Sequence, residues 1–262
     1  MKYYFYLGGA GNVYFQLLRA KEQGGSFRFS NFFITPLVRD FFNHTKHPDL
    51  YKKFYHLPAN FFLMYPLLMI VMFLDLMANR LLGRTFLTNF DLGAVKSKAL
   101  IYPLINFGYF QENVSLSMMR KHSDIISNSP YSGDLSDVIV VHVRGGDFRN
   151  QGISLNSEYY RNAFSIMDLR DKTILVVTDD PSYAGEVLVL AGLDISNCDI
   201  FCGDGVVDFY LMNRVVNFIG SNSTFSLVAS ITSPVARQLV YPDEIRKKFI
   251  CDDVTDVELN YL

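Results

Sequence analysis

Residues 138–148 read VIVVHVRGGDF. An unbroken run of β-branched side chains marks a strand buried on both faces. The run ends in Arg144, Gly145, Gly146 and Asp147, and a core strand gains nothing from such an ending. The charges are therefore a paired edge or a site. Side chains alternate along a strand, so His142 and Arg144 point to one face. An arginine at a strand's carboxyl end suits a bidentate grip on phosphate. The adjacent glycines would let a ligand approach the backbone. Asp147 has three readings: it orients Arg144, caps the next turn, or acts as a base.

The segments that follow keep one rhythm. Strand candidates DVIVVHV (137–143), KTILVVT (172–178), CDIFCG (198–203), VNFIGS (216–221) and ARQLVYP (236–242) alternate with helical patterns. The helices are expected at 157–169, 181–193, 206–214 and 223–233. Apolar strands alternating with amphipathic helices imply an α/β fold with a parallel sheet covered on both faces. Ligands of such sheets bind outside the carboxyl ends of the strands. Arg144–Asp147, Thr178–Asp180 and Ser221–Ser223 all fall there.

The chain begins similarly, with a strand KYYFYL (2–7), a turn GGAG (8–11) and a helix NVYFQLLRAKEQ (12–23). SFRFSN (26–31) reads as a second strand and KALIYPL (98–104) as another, separated by a long aromatic-rich insertion. The chain of 262 residues is expected to form two facing α/β lobes. The N-terminal lobe spans 1–135 and the C-terminal lobe 136–262, with the boundary near SNSPYSGDLSD (127–137).

Half of the residues are hydrophobic and 19% are charged, so a large core is available. A net charge of −2 without a Lys/Arg-rich run argues against nucleic acid as a partner. Cys198, Cys202 and Cys251 lack the neighbouring ligands of a zinc site and read as small buried thiols of a reducing compartment. His44 and His47 lie in a polar stretch beside Pro48 and do not read as metal ligands. The N-terminus lacks the pattern of a signal peptide, so a cytoplasmic placement is expected. Residues 57–78, LPANFFLMYPLLMIVMFLDLMA, are uncharged from Leu57 to Leu74 but interrupted by Pro58, Asn60 and Pro66. A buried or membrane-surface helix is expected there, with peripheral membrane contact, in preference to a spanning one.

Three stretches carry chemistry. GGAGN (Gly8–Asn12) lies between strand and helix, where Gly9, Gly11 and the helix amides could cradle phosphate; a tight turn without a ligand fits equally. It is neither a dinucleotide fingerprint nor a P-loop. In SNSTFS, Ser221, Asn222 and Ser223 open a helix, and the same free amides that need capping could hold a diphosphate. In VTDD, Asp179 and Asp180 could hold a divalent metal, although an aspartate before Pro181 is an ordinary helix cap.

Together these blocks resemble the α-1,2-fucosyltransferases of glycosyltransferase family 11, in their bacterial form. VHVRGGDF is similar to a His-x-Arg-x-x-Asp motif, and GGAGNVYFQ resembles a Gly-Gly-x-Gly-Asn-x-x-Phe-Gln opening. NFGYFQE (106–112), LNSEYYRNAF, VVTDDPSYA and DFYLMNRVVNFIGSNSTFS follow in the family's order, over residues 5 to 243. Leu227 and Val228 stand where the family commonly has two tryptophans, and Val13 stands at its usual glutamine. The resemblance implies a GT-B-like pair of Rossmann lobes, with the N-terminal lobe on the acceptor side. It implies a GDP-fucose donor, a glycan or lipid-linked oligosaccharide acceptor, and inversion, with no metal or cofactor. Carried over by position, Arg144 holds the diphosphate, Ser223, Thr224 and Phe225 line the phosphates, and His142 lies against the nucleoside. Asn12 reaches in from the other lobe, and Asp147 or Glu112 is the base. Two other readings stand beside it: a metal-dependent transferase using Asp179 and Asp180 with another nucleotide sugar, and a non-catalytic nucleotide-sugar-binding module.

Overall fold

In a computed structural model of the chain, the described residues are 2–6, 10–23, 27–31, 65–91, 96–101, 105–108, 111, 114–126, 135–250 and 254–262. The chain divides into two compact units, 1–111 and 112–262. In the first, strand β1 (Lys2–Tyr6) leads into helix α1 (Ala10–Glu22), then β2 (Phe27–Asn31) and helix α2 (Tyr65–Leu82). Strands β3 (Thr88–Asp91), β4 (Lys96–Ser97) and β5 (Ile105–Gly108) complete it. Helix α1 buries Val13 with Leu17 and Tyr14 with Leu18, pairs one turn apart that form a core stripe.

The sheet order of this unit is β2-β1-β5-β3-β4. Its pairs are parallel except β3–β4, which is antiparallel, so the expectation of a wholly parallel sheet is corrected here. A strand expected over KALIYPL (98–104) is not found across its described residues. In KALIYPL, residues 98–101 join Thr85–Phe86 through an isolated bridge, with Leu100 N–H donating to Thr85 O and Ile101 N–H to Phe86 O. Strand β5 takes the central place of the sheet.

The second unit begins with helix α3 (Leu116–Lys121), continues through β6 (Val138–Val143), α4 (Gly146–Asn150), α5 (Ser157–Ile166), β7 (Thr173–Thr178) and α6 (Pro181–Leu190). Strand β8 (Cys198–Phe201), helix α7 (Gly205–Met212), β9 (Asn217–Ile219) and α8 (Thr224–Ile231) follow. The unit ends with β10 (Gln238–Tyr241), α9 (Asp243–Lys248) and β11 (Glu258–Tyr261). Residues 114–126 belong here and not with the N-terminal lobe expected to reach 135. Arg120 explains why: its Nη1 donates to the carbonyls of Ile231 and Ser233, and its Nε and Nη2 hold Asp256. Ser115 also bridges to Ile250.

All six strands are parallel in the order β11-β10-β9-β6-β7-β8. Read from β8, that is the 3-2-1-4-5-6 order of a doubly wound sheet. On one face Ile139, Val141 and Val143 pack with Val176, Tyr160, Ala163, Ala184 and Leu188. Both faces of β6 are covered, as its apolar run requires: five of its six residues are buried. Caps set the helix starts. Asn156 accepts from Tyr159 N–H, Asp180 from Tyr183 N–H with Pro181 at the first helical position, and Asp204 from Val206 and Val207 N–H.

Candidate functional site

After β6 the chain runs through β7 to β8 on one side, then returns to β9 and continues to β10 and β11 on the other. The strand order reverses between β6 and β9, where a doubly wound sheet opens a crevice at its carboxyl edge. His142 and Ser221 meet across that point, His142 Nδ1 lying 2.8 Å from Ser221 Oγ. Both are buried. Burial, with the Arg144 charge adding, pulls the His142 pKa down to about 3, so the imidazole is neutral. Tyr160 Oη donates to the His142 carbonyl from below.

Two residues on, Arg144 leaves the sheet between two carboxylates. Its Nη2 donates to Asp147 Oδ1 at 2.6 Å, and its Nη1 lies 2.8 Å from Asp179 Oδ2. The guanidinium also stands 5.3 Å over the Phe148 ring. Asp147 thus orients Arg144. Asp179 also accepts from Gly145 N–H at 2.9 Å, which ties the end of β7 to the end of β6. The two glycines make room for carboxylates, a correction to the expectation that they make room for ligand. A Cβ on Gly145 would stand 2.5 Å from Asp180 Cβ, and one on Gly146 2.5 Å from Asp179 Oδ2. Gly146 also has φ +27°, which a side chain would strain.

Asp180 is the cap of α6, so the two neighbouring aspartates are divided between a helix start and an arginine. Among the described residues no His, Cys, Asp and Glu side chains gather as a metal-holding group of three. At the end of β9, Ser223 caps α8 by accepting from Phe225 N–H, and Asn222 Nδ2 donates to the Ile153 carbonyl. Phe225 packs its ring 5.5 Å from Phe209. Thr224 opens the helix, so the amides of its first turn and the positive end of its dipole lie at the same sheet edge.

Asp208, in the first turn of α7, was missed in the reading of the sequence. Burial, reinforced by Asp204 and Asp179, pushes its pKa up to about 6, while Gly203 N–H donates to it. Its one available signal was an acid set in an otherwise apolar helix, VVDFYLM. Three buried side-chain atoms at this edge have no hydrogen-bond partner: Arg144 Nε, Asp208 Oδ1 and Asn222 Oδ1. Buried polar atoms are normally paired, so orphans gathered at one end of a sheet point to a ligand that completes them. A cleft of about 540 Å³ opens beside Asn222, lined also by Asn156, Glu158, Asn162 and Glu244.

The structure therefore brings His142, Arg144, Asp147, Asp179, Ser221, Asn222, Ser223, Thr224 and Phe225 to one sheet edge, on strand ends, loops and the first turns of helices. Gly11 and Asn12 belong to the other unit, in the first turn of α1, where Gln111 Nε2 donates to Asn12 Oδ1. Gly8, Gly9, Glu112, His44, His47 and Cys251 lie outside the described residues. Cys202 is exposed and Cys198 half-buried, against the expectation of buried thiols.

No family model matches the chain, and no curated protein matches it. Among solved structures it is similar to the NodZ α-1,6-fucosyltransferase soaked with GDP-fucose, with a TM-score of 0.47 and 14% identity, covering 89% of this chain and 93% of that one. It is also similar to a glycosyl transferase of family 9 from Veillonella parvula, with a TM-score of 0.46 and 9% identity, covering 99% of this chain and 84% of that one. Both scores lie below 0.5, too low to assign a shared fold.

Proposed function

We propose that the chain is a glycosyltransferase that moves L-fucose from GDP-fucose to a glycan hydroxyl. One observation carries the reading. At the strand-order reversal of a parallel sheet, an oriented arginine and the first turn of α8 stand at the same edge, among buried polar atoms that lack partners. Cationic and amide donors of this kind suit a diphosphate. The ordered sequence blocks supply the identity of the donor.

In the proposed reaction the bond between the fucose anomeric carbon and the diphosphate oxygen breaks, and GDP departs with the electron pair. The acceptor oxygen bonds to that carbon and gives its proton to a base. Arg144 would stabilise the charge that grows on the departing diphosphate. A guanidinium has five N–H donors, and two of the Arg144 bonds go to Asp147 and Asp179. Its buried Nε–H remains for a phosphate oxygen. Asp147 and Asp179 would hold the arginine in place. Ser223, Thr224 and Phe225 would line the phosphates at the start of α8, and neutral His142 would support the nucleoside side through Ser221. By the same resemblance, the first unit, with Gly9, Gly11 and Asn12, would carry the acceptor side of a GT-B-like fold. The acceptor we favour is a galactose-like residue joined through its O2, in a surface polysaccharide or lipid-linked oligosaccharide at the cytoplasmic membrane face, with inversion and without metal.

The test is incubation with GDP-fucose and a panel of galactosides, alongside thermal-shift measurements with GDP, UDP and their sugars. Stabilisation by GDP ligands, which act by mass action on the folded state, and transfer that persists in excess EDTA are expected. Transfer from other nucleotide sugars, with neither transfer from nor hydrolysis of GDP-fucose, would overturn the donor assignment.

A further inference from the structure

Helix α2 wears its chemistry inside out. At 3.6 residues per turn, Ile70, Phe73, Leu74, Met77 and Leu81 fall in one stripe about 100° wide, and each is between 40 and 76% exposed. The opposite side carries Met72 and Asp75, both buried, with Asn79 half-buried. Asp75 fastens the helix to the protein, accepting from Phe86 N–H at 3.2 Å and from Leu87 N–H at 2.7 Å. Of the two expectations for this segment, a buried or a membrane-surface helix, the buried one fails along the outer stripe of its described residues.

The exposed surface continues past the helix. Leu100 and Ile101, each more than half exposed, hang from the Thr85 and Phe86 carbonyls that follow the helix end. Arg80, Arg84 and Lys98 are exposed in the same elements. Residues 65–101 hold four bases against two acids, one of which is the buried Asp75; the rest of the chain holds 20 bases against 24 acids. The apolar stripe thus sits in a net cationic segment of an acidic chain.

We infer that this face docks on an anionic lipid bilayer, with α2 lying along the surface. The stripe enters the boundary between headgroups and acyl chains, and Arg80, Arg84 and Lys98 meet lipid phosphates. A second copy is a poorer occupant, because two such faces would bring like charges together. No helix among the described residues is long and apolar enough to cross a membrane, and the grip of Asp75 holds α2 against the protein. This surface shares no residue with the candidate site, so it stands or falls apart from the fucosyl-transfer reading.

The test is co-sedimentation of the full chain with vesicles of phosphatidylcholine alone and with one third phosphatidylglycerol. Three cations, each contributing about fivefold near an anionic surface, give a preference on the order of 100-fold for the anionic vesicles. The preference weakens as salt rises. Phe73→Ser with Leu74→Ser abolishes pelleting, and Arg80→Gln, Arg84→Gln and Lys98→Gln together erase the preference. Circular dichroism checks the fold of each variant, and a GDP thermal shift reports separately on the donor reading. No pelleting, or equal pelleting with both vesicles, overturns the inference. A dimer that Phe73→Ser and Leu74→Ser convert to monomer, without vesicle binding, overturns it in favour of a second copy.

Discussion

At the ends of β6 and β7 an arginine and two carboxylates are charged and reached by water, whereas the tyrosine hydroxyls packed against β9 and β10 are neutral and sealed. The first region pairs Arg144 with Asp147 and Asp179, all partly exposed. The second joins Tyr159 Oη to the Gly220 carbonyl at 2.6 Å. Tyr241 Oη lies 2.5 Å from Ser230 Oγ and donates to the Ser226 carbonyl at 3.1 Å. Burial pushes both phenols up in pKa and keeps them neutral. Charges survive only where solvent lowers their cost, and a charged pair there can be rearranged around a ligand. Neutral hydroxyls in a sealed pocket cannot exchange partners without leaving one unsatisfied. One part of the edge is built to respond and the other to hold it in register, with His142–Ser221 at the seam.

That division can be broken in four places. The largest effect is expected from Arg144→Ala, which should lower turnover on the order of 10³-fold while its melting temperature stays close to wild type. Arg144→Lys should not restore activity, because a point charge lacks the planar fork. An active Arg144→Ala enzyme would show that the responsive region is merely a paired edge. Next comes Gly220→Ala in the sealed region. Its Cβ would overlap the Tyr241 ring, which is fully buried and held through its hydroxyl. Denaturant titration should record a loss of about 3 kcal/mol.

At the seam, His142 has a pKa of about 3 when folded, against 6.5 for an ordinary histidine. The unfolded chain binds a proton that the folded chain refuses, so stability falls as pH drops below 6.5. The loss is about 1.4 kcal/mol per pH unit, or about 2 kcal/mol at pH 5. His142→Gln should remove that share of the acid sensitivity in urea titrations at pH 7 and pH 5. The smallest effect is expected at Asp208. Its folded pKa of about 6 exceeds the ordinary 3.8, so the folded carboxyl holds its proton more tightly than the unfolded one. Its ionised form therefore costs stability at pH 7, and the cost fades as pH falls through 6 towards 3.8. Asp208→Asn should raise stability by about 1 kcal/mol at pH 7, allowing for solvent screening, and by nothing at pH 4. A melting-temperature gain that persists at pH 4 would remove Asp208 from the electrostatics of the edge.

Much of the second unit was legible because its local signals agree with its tertiary placement. VIVVHV and TILVVT are strands whose apolar runs demand cover on both faces, and Asp180–Pro181 starts a helix whatever surrounds it. Strand β11 was missed: ELNY is short, partly exposed and polar, and pairing with β10 alone makes it a strand. Strand β5 was missed: INFG is only four residues long, and its pairing with β1 and β3 makes it a strand. Asp208 was overlooked because nothing local separates an acid aimed at a sheet edge from one on a solvated helix face. In α2 the sequence offered an apolar segment, but which of its faces stayed outside depended on Asp75 finding the Phe86 and Leu87 amides.

By itself, then, the sequence determined the parallel α/β architecture of residues 138–241, the capped helix starts, and Arg144 at a strand's carboxyl end, because these follow from short-range sterics and burial. Only the tertiary structure decided that Asp147 and Asp179 both hold Arg144, that the glycines make space for carboxylates, that Asp208 joins the edge, and that α2 turns its apolar stripe outward. Each of those outcomes depends on contacts between segments distant in sequence, whose distances and desolvation exist only once the chain has folded.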